Sequence, residues 1–159
     1  MRGRGVMKIT DYLIIQHRLI QSQLNFLKDL KESRRQGDVS GIKEMIFLIH
    51  NSMRRHSGIE TDYLFPALRP YLGEEMGTRA VIEFEHRGIN EILEKLRNAD
   101  DPKTIQVESS RFIIYLRDHI AKEENILFPM AEESLGKECL EDMAKEVGIL
   151  DQQGKLTLT

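Results

Sequence analysis

The chain lacks most of what would tie it to a membrane, a nucleic acid or a disulfide framework. It has a single cysteine, Cys139, which excludes an internal disulfide and a cysteine-built zinc site. Its longest apolar run is five residues, 45–49, against the roughly 20 that a membrane-spanning helix needs. No apolar segment follows Arg2 and Arg4, so no export signal is read there. Lys and Arg number 23 and Asp and Glu 26, a net charge of -3, and such a balance gives no attraction to phosphate backbones or anionic lipid. Nucleotide-binding glycine motifs and haem-attachment cysteine pairs are missing too. These absences predict a soluble, cytosolic protein with no nucleic-acid or membrane partner. At 159 residues it is long enough for one well-buried core and short for two. Any metal must be held by histidine and carboxylate.

What the chain does have is a repeat. His56, Glu60, Leu64, Phe65 and Pro66 recur in order as His119, Glu123, Leu127, Phe128 and Pro129. Each set follows its own upstream His-Arg-x-Ile: His17, Arg18 and Ile20 continuing to Leu24 and Leu27, then His86, Arg87 and Ile89 continuing to Leu93 and Leu96. Internal repetition fixes architecture before other signals are weighed, and here it predicts two equivalent halves about a pseudo-two-fold axis.

Four segments space their apolar residues alternately by three and four, as amphipathic helices packing together do. The stripes are Leu13, His17, Ile20, Leu24, Leu27; Ile42, Ile46, Ile49, Met53, His56, Glu60, Tyr63; Ile82, His86, Ile89, Leu93, Leu96; and Ile105, Ser109, Phe112, Leu116, His119, Glu123, Ile126. Four histidines and two glutamates stand where apolar residues belong. Ser40 is expected to cap the second helix, and Asp101 with Pro102 to start the fourth. Gly37 with Asp38, the stretch from Pro70 to Gly73, and the stretch from Asn98 to Asp101 read as breaks, while Pro66 and Pro129 should kink or end helices two and four. Short connections make neighbours antiparallel, so the fold class is all-α: an up-down-up-down four-helix bundle over residues 10–135. A tail at 1–9 precedes it. A short helix, Glu138 to Val147, and a polar tail make up 136–159.

Antiparallel packing brings His17 and His56 to one end of the first hairpin, and His86 and His119 to the same end of the second. The separations differ, 39 residues against 33, so loops or helix lengths must differ. A lone core histidine is ordinarily a packed residue with a hydrogen-bond partner. Two carboxylates buried with four imidazoles are not, because buried charge has to be neutralised, paired or bound to metal. No Lys or Arg lies on the stripes. Residues four apart share a helix face, so His56 with Glu60 and His119 with Glu123 each present a nitrogen beside an oxygen. A cation is the missing partner, and two metals use both carboxylates better than one.

The pattern resembles the hemerythrin-like, HHE cation-binding family over about residues 10 to 132. The resemblance implies a non-haem di-iron centre with His17, His56, Glu60, His86, His119 and Glu123 as ligands, the glutamates bridging. His17 and His56 then serve one iron and His86 and His119 the other, with an oxo or hydroxo bridge and room for exogenous ligands. Nitrogen and oxygen donors equally suit manganese or zinc; iron follows from the resemblance alone. Oxygen-carrying hemerythrins have a further histidine one turn after the third-helix ligand, and that position is Asn90, with Ile82 a turn before. The implied function is binding, sensing or reaction with a small oxidant: oxygen, peroxide or nitric oxide. Redox turnover or repair of iron centres is one alternative, and an iron- or oxygen-responsive interaction module another. The sequence names no catalytic residue, electron donor or protein partner.

Among other residues, His50 reads as a surface or outer group. Glu85 and Glu124 read as solvated charges, and Tyr63 as a packing residue on the metal stripe, where a phenol near a di-iron site could also donate a hydrogen bond or be oxidised. Tyr115 is also read as a packing residue. Gly88, inside a helix at a cost of about 1 kcal/mol relative to alanine, reads as admitting a close neighbour or a small ligand, or as a tolerated accident.

Overall fold

A computed structural model describes residues 6–33, 39–72 and 77–149, without the side chains of 77–84. The basic opening, Gly37, Asp38, Gly73, the tail beyond 149 and the side chain of Ile82 lie outside the described residues. The protein is an all-α, up-down-up-down bundle. Its elements are α1 (Ile9–Glu32), α2 (Val39–Ile59), α3 (Phe65–Leu72), α4 (Gly77–Asn98), α5 (Pro102–Lys122) and α6 (Phe128–Glu146). One turn of π-helix, Glu60–Leu64, joins α2 to α3, and another, Glu123–Leu127, joins α5 to α6. No described helix is long and apolar enough to cross a membrane.

Local chemistry sets several boundaries. Asp101 accepts the Thr104 backbone N–H at 2.8 Å, satisfying one of the free donors at the start of α5, with Pro102 in the first turn. Ser40 does not cap α2: it lies inside a helix that already begins at Val39. Pro70 likewise sits within α3, which runs on to Leu72, so the halves separate after it. The unequal histidine separations have two sources. α1 runs three residues further beyond His17 than α4 does beyond His86, and the connection after α1 is three residues longer.

The prolines act through the π-turns. In each, the bond runs from residue i+5, Phe65 N–H to Glu60 O and Phe128 N–H to Glu123 O, which widens the turn by one residue. A proline ring clashes with the carbonyl four residues back in a regular helix. The wider turn gives Pro66 and Pro129 room, so the rods continue into α3 and α6 instead of ending. An extra residue also advances the buried face by one position. Beyond the glutamates that face passes to Leu64 and Leu127, both fully buried, while Ile126 is 53% exposed and Tyr63 is only partly buried, against the lower core. This corrects the sequence stripes, which placed Tyr63 and Ile126 inside.

The core falls into two apolar blocks. The upper includes Ile20, Leu24, Ile46, Ile49, Leu93, Leu96, Phe112 and Leu116; the lower includes Ile9, Leu13, Leu64, Phe65, Leu68, Leu127, Phe128 and Ala131. Burying each large side chain contributes about 1.5–3 kcal/mol. Gly136, at φ 78°, kinks α6, after which Leu140, Met143 and Ala144 complete the lower block. Between the blocks lies a polar layer.

Candidate metal centre

That layer consists of the repeated residues. α1 contributes His17, the junction of α2 with its π-turn His56 and Glu60, α4 His86, and the junction of α5 with its π-turn His119 and Glu123. His56, Glu60, His119 and Glu123 are fully buried and His17 is 1% exposed, whereas His86 is half-buried. All six residues expected from the sequence meet here.

Their donor atoms converge. Glu123 Oε1 lies 3.0 Å from His17 Nε2 and from His56 Nε2, and 3.3 Å from His119 Nε2. Glu60 Oε1 is 2.8 Å from His56 Nε2. Two pairs of imidazole nitrogens face each other, His17 Nε2 with His56 Nε2 at 3.0 Å and His86 Nε2 with His119 Nε2 at 3.2 Å. Two nitrogens bound at right angles to one ion at 2.0–2.1 Å stand about 3 Å apart, so both pairs have the separation of ligands sharing a cation. The donors form two groups, His17, His56 and Glu123 in one and Glu60, His86, His119 and Glu123 in the other, each with its atoms within 4.8 Å. Glu123 belongs to both.

A cation also answers the site's unmet demands. Glu60 Oε1 and Oε2 and Glu123 Oε2 are buried with no hydrogen-bond donor; the short His56 to Glu60 approach supplies charge without hydrogen-bond geometry. Without a metal, protons take over its role. Burial opposes a charge on His56, but Glu60 and Glu123 override it and push the imidazole up to about 10. Burial likewise opposes charging His119, and hydrogen bonds to Glu123 and Glu85 raise it to about 9. Burial and the neighbouring Glu123 charge push Glu60 up to about 8. Burial works against ionised Glu123 as well, yet Glu60 and the imidazoles around it hold its carboxyl well below the usual range. His86, buried in part and beside His119, drops to about 4.

The imidazoles are oriented from outside, and sequence reasoning missed this. His17 Nδ1 is 3.0 Å from Glu124 Oε1, His56 Nδ1 is 3.1 Å from Gln16 Oε1 and His119 Nδ1 is 2.9 Å from Glu85 Oε2. Each Nδ1–H donates outward, which leaves Nε2 to face the centre, and such partners fix ring tautomer and orientation. Lys122 pairs with Glu85 and with Asp118. Glu85 and Glu124 are therefore anchors of the site. Each does point away from the polar-layer residues of its own helix, but toward a histidine of a neighbouring helix. Gln16, Glu85 and Glu124 are all immediate sequence neighbours of a site residue, which was the available signal. By the repeat, Gln16 corresponds to Glu85 and Glu124 to Thr61, and His86 has no Nδ1 partner among the described residues.

Nearby, Gly88 is explained by Tyr115: a Cβ there would come within 2.9 Å of the phenol ring. Asn90 is exposed and His50 is partly buried in a cleft beside His86. Tyr63 lines a separate groove with Cys139 and Met143.

The chain resembles curated bacterial proteins. It is 28% identical over 149 residues to the iron-sulfur cluster repair protein YtfE of Escherichia coli O139:H28 (strain E24377A / ETEC), across 82% of this chain and 68% of that protein. The YtfE proteins of Escherichia coli strain K12 / DH10B and of Shigella boydii serotype 18 (strain CDC 3083-94 / BS512) stand at the same identity and coverage. No solved structure matched. Residues 8–131 match the Hemerythrin HHE cation binding domain, a span that takes in the whole polar layer, and the chain belongs to that family.

Proposed function

We propose that this protein is a non-haem di-iron protein whose centre binds or reacts with a small oxidant: oxygen, peroxide or nitric oxide. Its ligands would be His17 and His56 for one iron and His86 and His119 for the other, with Glu60 and Glu123 between them. The observation that carries the reading is Glu123 Oε1 within 3.3 Å of three imidazole nitrogens that belong to both halves. When bound, the irons would supply open coordination and reversible electron transfer. The chain's own residues do the rest: the Nδ1 anchors aim the nitrogens inward, the apolar blocks exclude water from above and below, and half-buried His86 marks the side from which a ligand approaches. Asn90 offers no imidazole, so the histidine count stays at two per iron, which favours reaction or sensing over reversible carriage.

A second reading, repair of damaged iron-sulfur centres, is favoured by the name of the relatives. We place the protein in the cytosol on the same grounds as its composition.

Anaerobic reconstitution with ferrous iron tests the first reading. About two equivalents should bind, and charge-transfer bands should appear with oxygen or peroxide, or a distinct spectrum with nitric oxide. A maximum of one iron, or spectra indifferent to all three, would sink it. Incubating the loaded protein with an oxidatively damaged iron-sulfur enzyme tests the second. Recovery of that enzyme beyond the level given by free ferrous iron supports repair; equal recovery refutes it.

A further inference from the structure

Beside His86 lies a cleft of about 310 Å³ between α2 with its π-turn and α4. Diatomic molecules occupy far less than this, and the volume falls at the small end of the range for small-molecule sites. Its lining includes His50, Arg54, Ser57, Thr61 and Asn90 around His86, a set rich in hydrogen-bond donors. Arg54 makes no ion pair among the described residues. Asp62 lines the cleft as well, and it forms no ion pair with Arg54.

The pseudo-symmetry says what is missing there. Around the centre the outer acceptors run Gln16 for His56, Glu85 for His119 and Glu124 for His17. The fourth place, at His86, falls to Thr61, the counterpart of Glu124, whose side chain is exposed and does not hydrogen-bond the ring. His86 Nε2 is turned to His119 at 3.2 Å, so Nδ1 is the nitrogen left for the cleft. At the neighbouring His119 the Glu85 carboxylate that serves the ring is balanced by the cation Lys122. In the cleft a cation, Arg54, is present, but among the described residues no carboxylate hydrogen-bonds the His86 ring: Asp62, which also lines the cleft, is exposed and does not reach it.

We propose that the cleft binds a small planar anion with two oxygens, a carboxylate or a nitrogen oxyanion, which accepts the His86 Nδ1–H and pairs with Arg54. The bound anion takes the place that Glu124 fills for His17. A guanidinium binds such a pair of oxygens through two parallel N–H donors. Burial and the nearby charges of Arg54 and Arg97 lower the His50 pKa, so it faces the anion as a neutral donor. This inference rests on the metal reading only for its consequence at the iron; the anion site itself is built from Arg54 and His86.

The test uses formate and nitrite as probes, with chloride at equal ionic strength as the control, on metal-free and metal-loaded protein. Binding is read by isothermal titration calorimetry and by the NMR resonances of Ser57, Gly58 and Asn90. Saturable shifts with formate or nitrite and none with chloride are expected in both forms, weakened about tenfold by Arg54→Gln. Thr61→Glu, at an exposed position, should supply the carboxylate internally and abolish binding of either probe. Formate alone or nitrite alone would show which source of the shared chemistry fits. Responses no different from chloride, or unaffected by both variants, would overturn the proposal. Binding confined to the loaded protein and indifferent to Arg54→Gln marks an ordinary metal ligand and also overturns it. If iron does not load but the anion binds with Arg54 dependence, the di-iron reading fails and the cleft stands.

Discussion

The two halves of the repeat bring the same residue types to the same level, yet one half is closed and the other open. His17 and His56 are buried, each with an outer acceptor on its Nδ1. On the other side His119 is buried and held by Glu85, while His86 is half-buried and borders a cleft. The donor residues are duplicated; their support is not. A repeat therefore says where the donors are, and the departures from it say where the site meets the outside.

The largest effect should come from the residue both halves share. Among the described residues Glu123 is the one donor that belongs to both groups, so metal analysis of Glu123→Ala after desalting should find both equivalents lost. Glu60→Ala, whose carboxylate belongs only to the group with His86, His119 and Glu123, should keep a substantial part of the first equivalent. Equal and complete loss in both variants would erase the distinction.

Metal removal should come next. A ligand at about 100 times its dissociation constant stabilises by about 2.7 kcal/mol, which for a chain of this size is about 5–10 °C in melting temperature. The gap should depend on pH. In the metal-free protein His56 and His119 hold their protons to about 10 and 9, and Glu60 to about 8, well above their ordinary values. From pH 6.5 upward the folded chain therefore binds more protons than the unfolded one, and its stability falls as pH rises. His86 and Glu123 are shifted the other way, but their contribution is confined to pH below 6.5. Metal competes with those same protons, so affinity climbs with pH. Anaerobic melts between pH 6.5 and 8.5 should show the gap widening; a constant gap would mean the site is solvated when empty.

The contrast in support can be probed through the anchors. Glu85→Gln, whose carboxylate is buried between His119 and Lys122, should weaken metal binding by about 10–100-fold. Glu124→Gln should do less, because that carboxylate is 37% exposed and water can replace it. A reversal of that order, in metal titrations, would show that burial does not govern the anchoring. The smallest effect is expected at Gly88. Alanine gains about 1 kcal/mol in helix propensity, and its Cβ meets only the far end of the Tyr115 ring at 2.9 Å, which can move. Gly88→Ala should stay within about 1 kcal/mol of the parent in denaturant melts, and a larger loss would show Tyr115 to be fixed.

How much of this was legible in the sequence depends on the direction in which a side chain acts. Periodicity located the helices and the six donors because those residues point along their own stripe into the core. It failed at Tyr63 and Ile126, since a period of 3.6 cannot anticipate a wider turn; the Leu-Phe-Pro that follows each glutamate was the visible trace of it. It failed again at Glu85 and Glu124, whose partners lie across a helix boundary. Ser40 looked like a cap because Gly37 and Asp38 read as a break, which placed the helix start after them, whereas α2 already includes Val39. The inequality of the halves at Thr61 and Glu124 was already written in the repeat, but only the geometry gave it meaning.

The polar layer between the two apolar blocks has a consequence for how the molecule opens. Ordinary bundles are joined along their length by a continuous hydrophobic seam, so adjoining turns tend to exchange their amide protons together. Here that continuity is interrupted at one cross-section by groups that attract one another only through a cation or the protons that replace it. With the centre filled, amides around Leu64 and Leu127 should exchange at the same slow rate as those around Ile46 and Phe112. Once it is emptied the blocks become separate cooperative units, and the lower one, closed by the kinked α6, opens first.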